Sequence, residues 1–151
     1  MSIVIVHGPH TSGPALPQPL QQQLQQQAGA AGRRLELRGC SSLDHLVGQV
    51  CAASTDGTPF VLLDPGELAS QAREHPEAGL VDALDRLDAP YIEVHDACDA
   101  ELEHAGGAHK APLATVIING NIGSGYRIGL GIALRQLQEW DRASRQGAAG
   151  L

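Results

Sequence analysis

Aromatic side chains are nearly missing from this chain of 151 residues, which has two Tyr, one Trp and one Phe. A core must therefore be assembled mostly from Val, Ile, Leu and Ala. Cysteines stand only at positions 40, 51 and 98, an odd number with no C-x-x-C pair. That excludes a disulfide framework and fits a reducing compartment. Basic residues are outnumbered, 10 Lys and Arg against 17 Asp and Glu, for a formal net charge of −7. No Lys/Arg cluster offers the basic face that a phosphate backbone requires, so nucleic acid is not an expected partner. No stretch approaches the roughly 20 apolar residues of a membrane span. The opening MSIVIVHGP has a short apolar run with no basic segment before it, which reads as a strand and not as a signal peptide. The expectation is a cytoplasmic protein without membrane association.

The length suits one domain, placed at 1–141, with a small, polar tail at 142–151 expected to fray. Four runs rich in β-branched residues stand at 3–6, 60–63, 91–94 and 115–118. They are nearly continuous rather than alternating, the mark of strands covered on both faces, as in a parallel sheet. RRLELR at 33–38 alternates and reads as an edge strand. Helical spacing appears between the runs. Leu20, Leu24 and Ala28 repeat at fours in PLQQQLQQQAG, whose glutamines form a solvated face. Further helices are expected at 42–53, capped by Ser41 or Ser42, at 76–87 and at 124–140. Strands alternating with helices imply an α/β, doubly wound parallel sheet with right-handed crossovers. In such sheets a ligand binds beyond the carboxyl ends of the strands.

The strand ends carry His7-Gly8-Pro9-His10, then Asp64-Pro65-Gly66-Glu67, then His95-Asp96 with Glu93 two residues earlier, then GNIGSGY at 120–126 preceded by Asn119. Taken singly these have plain readings. Asp-Pro-Gly is a turn signal, and GNIGSGY resembles a phosphate cradle but lacks the Lys of a P-loop. Taken together, imidazoles and carboxylates at one rim point to acid–base chemistry.

Four segments carry a resemblance to the type II 3-dehydroquinate dehydratases. IVIVHGPH resembles that family's I-L-N-G-P-N, FVLLDPGELAS its I-I-N-P-G-A-Y-T-H, PYIEVHDA its P-F-I-E-V-H-L-S, and the stretch ending in GNIGSGYRIGLGIAL its closing G-x-x-G-Y segment. They come in the family's order and spacing. The resemblance implies a flavodoxin-like three-layer sandwich with sheet order 2-1-3-4-5, no cofactor, a small-molecule substrate, and a homo-oligomer, a dodecamer built from trimers. It gives the general-acid role to His95, with Glu93 orienting it. Imidazole suits that role because it titrates near neutrality.

The sequence also departs from the family pattern. Segment 10–19, HTSGPALPQP, stands where the family carries a lid with a catalytic Arg and Tyr, and has neither. The two family asparagines of N-G-P-N fall at His7 and His10, and the Asn of N-P-G at Asp64. The family's A-Y-T-H histidine falls at Ser70, its serine after I-E-V-H at Ala97, and its substrate-gripping Arg within 101–107, where none occurs. Losing such groups commonly costs about 10³- to 10⁴-fold in rate. The expectation is a re-purposed lyase or isomerase working on a cyclic or ketone substrate outside the shikimate reaction. In it His95, Glu93, His10 and Asp64 are the catalytic candidates, with His10 as base and Asp64 holding its ring. His7, Pro65, Gly66, Glu67, Ser70, Asp96 and Ala97 are the substrate-binding candidates. The alternatives are a non-catalytic binding or scaffolding relative, a genuine 3-dehydroquinate dehydratase with a replaced base, and a metal held by His7, His10, Asp64 and His95. Cys98, in the acidic, His-bearing segment 95–110, is a further thiol of note.

Overall fold

Two kinds of periodicity build the layers. In the computed structural model, which describes residues 2–10, 16–97 and 110–149, the apolar runs form β1 (Ser2–His7), β3 (Val61–Asp64) and β4 (Tyr91–His95), buried at every interior position. The alternating run forms β2 (Arg34–Gly39), and β5 (Ala114–Ile117) completes the sheet. The order is β2-β1-β3-β4-β5, with every neighbouring pair parallel. This is the flavodoxin-like sheet that the resemblance implies. β2 is an edge strand, as its alternation predicts. β5 is the other edge, and of its four residues only Val116 is buried. The run at 115–118 therefore lacks the full cover expected of it; among the described residues it is the last strand of the sheet.

Helices at 3.6-residue spacing cover both faces. Toward one face lie α1 (Gln18–Ala30) and α5 (Ile122–Ala149), which pack Leu20, Leu24, Tyr126, Leu130 and Leu137 against Ile3, Ile5, Leu62, Ile92 and Val94. Toward the other lie α2 (Leu43–Thr55), α3 (Leu68–Glu74) and α4 (Leu80–Arg86), packed on Val4, Val6, Val61, Leu63 and Tyr91. Each fully buried Leu or Ile contributes about 1.5–3 kcal/mol, so the apolar faces dominate stability. Ser42 caps α2, its hydroxyl accepting the His45 amide at 3.2 Å.

Three boundaries differ from the sequence reading. The pattern at 76–87 begins as a 3₁₀ turn, Pro76–Ala78, and becomes α4 only after Gly79, whose φ of +89° breaks the helix. The short α3 was not anticipated, since only Leu68 and Ala69 mark its buried side. Finally, α5 runs on to Ala149, through most of the segment read as a tail. Ala, Arg and Gln, which make up most of 142–149, favour a helix even where little packs against it.

The strand periodicity also fixes which way each polar end points. Side chains alternate faces along a strand. His7 therefore shares the α1/α5 side with Ile3 and Ile5, and Asp64 shares it with Leu62. Glu93 and His95 share the opposite side with Tyr91.

Candidate active site

Strand register sets Gly39, His7 and Asp64 side by side at the carboxyl rim, since His7 pairs with Gly39 on β2 and with Asp64 on β3. Gly39 leaves room for the His7 ring, for a Cβ there would stand 3.1 Å from its Cε1. The turns after β1 and β3 are bound to each other. The Gly8 amide donates to the Asp64 carbonyl at 2.7 Å, and the Glu67 amide to the Pro9 carbonyl at 2.9 Å. Contact is so close that a Cβ on Gly8 would come within 2.3 Å of the Pro65 carbonyl oxygen, and one on Gly66 within 2.3 Å of that of Pro9. Gly66 also holds φ of +57°, which other residues adopt only with strain. This double turn seats His10 over Asp64.

Asp64 is fully buried and accepts three hydrogen bonds. Its Oδ1 takes the Gly66 amide at 3.1 Å, and its Oδ2 takes His10 Nε2–H at 2.8 Å and the Tyr126 hydroxyl from α5. The other His10 nitrogen, Nδ1, faces Asp96 Oδ2 at 3.3 Å. The His10 side chain is only 5% exposed, and that of Asp96 is 32% exposed. The hydrogen bond to Asp64 pushes His10 above the ordinary imidazole range. Burial opposes this, and the charges of Asp64 and Asp96 add to it. A carboxylate at each nitrogen favours the protonated ring of His10, which is the direction of a proton donor rather than of a base. Tyr126 is pushed well above its ordinary value, by burial first and the Asp64 charge second. It therefore donates to Asp64 and does not replace the missing tyrosine base.

His7 behaves oppositely. Burial lowers it below the ordinary range and the His10 charge lowers it further, while Asp64 partly restores it. His7 and His10 both line a cleft of about 540 Å³ beyond β1 and β2, with Leu16, Gln21, Cys40 and His45 among its other walls. Burial raises the Cys40 thiol, so it stays protonated there.

Across the sheet, His95 Nε2 lies 3.7 Å from Glu93 Oε2, and both side chains are 1% exposed. Among the described residues, the buried His95 Nε2 and Glu93 Oε1 have no hydrogen-bond partner. The structure thus joins His10, Asp64 and Asp96 into one network, places His7 beside it, and sets Glu93 and His95 on the other side of the sheet. The set His7, His10, Asp64 and His95 does not converge. Among the described residues, no three His, Cys, Asp or Glu are grouped to hold a metal ion. Gly66 lies against the His10 ring, where a Cβ would stand 3.1 Å from Nε2, and the Pro65 carbonyl accepts the Leu68 amide at 3.0 Å. Glu67 and Ser70 are exposed, the Ser70 hydroxyl donating to the Glu67 carbonyl at 3.2 Å, and Ala97 is half-buried after Asp96. In GNIGSGY the Ser124 amide donates to Asn121 Oδ1 at 3.0 Å, and the Gly120, Asn121 and Gly125 amides donate to the Asp96, Ile118 and Asn121 carbonyls, so these four are already engaged within the protein. Cys98, residues 101–107 and residues 11–15 of the lid segment lie outside the described residues.

Tyr126 escaped the sequence reading, although the G-x-x-G-Y stretch contains it in a chain with only two tyrosines. Gln21, Gly39, Cys40 and His45 carried no signal, because they meet only across the β1–β2 edge.

The 3-dehydroquinate dehydratase of Pseudomonas savastanoi pv. phaseolicola is 31% identical over 148 residues, covering 90% of this chain and 95% of its own. The chain belongs to the type II 3-dehydroquinate dehydratase family. The 3-dehydroquinate dehydratase 1 of Pseudomonas putida is 30% identical over 148 residues, 90% of this chain and 94% of its own. In fold, the family's type II dehydroquinase from Propionibacterium acnes matches with a TM-score of 0.65 at 24% identity, covering 89% of this chain and 98% of that one. A 3-dehydroquinate dehydratase-like protein from Bifidobacterium longum matches with a TM-score of 0.59 at 19% identity, covering 91% and 99%. No protein-family model matches the chain.

Proposed function

We propose that this dehydroquinase-family protein is a lyase that dehydrates a cyclic β-hydroxy ketone by histidine acid–base chemistry, and that its substrate is not 3-dehydroquinate. The observation that supports this best is the buried network Tyr126–Asp64–His10–Asp96, with His10 and Asp64 at positions where the family resemblance puts neutral asparagines. One imidazolium against two carboxylates leaves an excess of negative charge, which disfavours a substrate carboxylate.

In the reaction, the α-carbon loses a proton to a base and its electron pair passes to the carbonyl oxygen, giving an enolate. The carbonyl re-forms, the bond from the β-carbon to its hydroxyl breaks, and the hydroxyl leaves as water with a proton from an acid. His10 suits the acid. Asp64 holds Nε2–H in the buried interior, as a triad carboxylate orients its histidine. The longer bond to half-exposed Asp96 leaves Nδ1–H the proton that can turn to substrate. The resemblance gives the same role to His95, held by Glu93, but His95 is 2% exposed while His10 lines the cleft. The homo-oligomer implied by the resemblance is part of the same proposal.

A second reading, dehydration of 3-dehydroquinate itself, is favoured by the activity for which the relatives are named. Enone absorbance separates the two. Wild-type protein is offered 3-dehydroquinate and a panel of carboxylate-free cyclic β-hydroxy ketones, alongside His10→Asn and His95→Ala. The proposal expects turnover only within the panel, lost in His10→Asn. Turnover of 3-dehydroquinate would install the second reading, and loss confined to His95→Ala would return the acid role to His95.

A further inference from the structure

The acid–base reading leaves the proton acceptor unnamed, since segment 10–19 has no Tyr or Arg and Tyr126 is spent on Asp64. We propose that substrate binds in the cleft beyond β1 and β2, and that His7 is the general base that takes its α-proton. The proposal rests on the lyase reading and supplies its missing partner.

Geometry carries it. The rim row Gly39–His7–Asp64 puts the His7 ring over a residue with no side chain, so the ring faces the cleft. His10 lines the same cleft from the turn after β1, which places acceptor and donor around one volume of about 540 Å³. That volume suits a six-membered ring with its substituents. The titratable or charged groups around His7 are Asp64 on β3, His10 on its own turn, Cys40 after β2 and His45 on α2. Asp64 is committed to three donors, so it holds His10 in the charged form without capturing the His7 proton. Neighbouring groups with opposite protonation states are the arrangement that acid–base catalysis requires. The neutral His7 imidazole accepts the α-proton and becomes imidazolium as the enolate forms. His10 releases its proton to the departing hydroxyl, and after water leaves, His7 returns its proton through solvent and His10 regains one.

The test follows deuterium uptake at the α-carbon of 3-hydroxycyclohexanone by proton NMR in deuterium oxide, which reads base action without requiring dehydration. Wild type is expected to catalyse exchange. His7→Ala is expected to slow it by about 10²- to 10³-fold, and added free imidazole to restore it, which a merely structural role would not allow. Gly39→Ala, which keeps His7 but crowds its ring, is expected to slow exchange severalfold. Exchange that survives in His7→Ala, or a loss that imidazole does not rescue although the variant melts like wild type, overturns His7 as base and leaves the lyase reading standing. Wild type without exchange on this ketone or on 3-dehydroquinate overturns both.

Discussion

The two faces of the sheet hold buried carboxylates of equal inaccessibility in opposite states. Toward α1 and α5, Asp64 is saturated: the Gly66 amide, the His10 ring and the Tyr126 hydroxyl all donate to it. Toward α2–α4, Glu93 meets His95 only at 3.7 Å, and each keeps a buried atom without a partner among the described residues. A saturated buried charge is a fixed piece of electrostatics, which sets the protonation of its neighbours and costs much to disturb. An unsaturated pair has little hydrogen bonding to lose, and orphaned buried atoms call for a group that the pair alone does not supply.

The largest effect is expected at Asp64. Asp64→Ala strands the His10 charge and the Tyr126 hydroxyl, and should cost about 3–5 kcal/mol, seen as a steep fall in denaturation midpoint. A loss below about 1 kcal/mol would mean that the network is not formed in solution. Tyr126→Phe removes one donor and should cost about 1–2 kcal/mol. It should also raise the His10 titration further, because Asp64 then serves one fewer partner. Glu93→Gln should cost less than about 1 kcal/mol, since Oε1 accepts no hydrogen bond from the described residues. A cost as large as that at Asp64 would erase the contrast between the faces.

The smallest effect expected is the dependence on pH. His10 is raised when folded, so its contribution to stability is full below its unfolded value of about 6.5 and is lost as pH rises through the higher folded value. His7 is lowered, so its contribution is present above about 6.5 and is lost as pH falls through the lower folded value. Stability of wild type relative to His10→Asn should therefore shrink on the alkaline side, and relative to His7→Asn on the acid side. Matching profiles for the two variants would contradict the assignment.

Much of this arrangement was legible in the chain. Continuous apolar runs marked the interior strands, alternation in RRLELR marked the edge, and the four family-like segments together implied the sheet order. The period of two also put Glu93 and His95 on a common face. It could not say which helices covered that face, and so it merged them with His10 into one cluster. The partners of His10 were hidden for a related reason. Its second carboxylate, Asp96, lies 86 residues away, and Tyr126 lies 62 residues beyond Asp64, so these contacts depend on packing and not on local pattern. The extension of α5 to Ala149 was hidden because no apolar stripe announces it.

At this rim an imidazolium, His10, is expected to stand beside a neutral imidazole, His7. A long-range proton–nitrogen spectrum of the histidine rings at neutral pH, assigned with His7→Asn and His10→Asn, reads both directly. Both His10 nitrogens should carry protons while one His7 nitrogen is bare. A neutral His10 ring, or a doubly protonated His7, would contradict it.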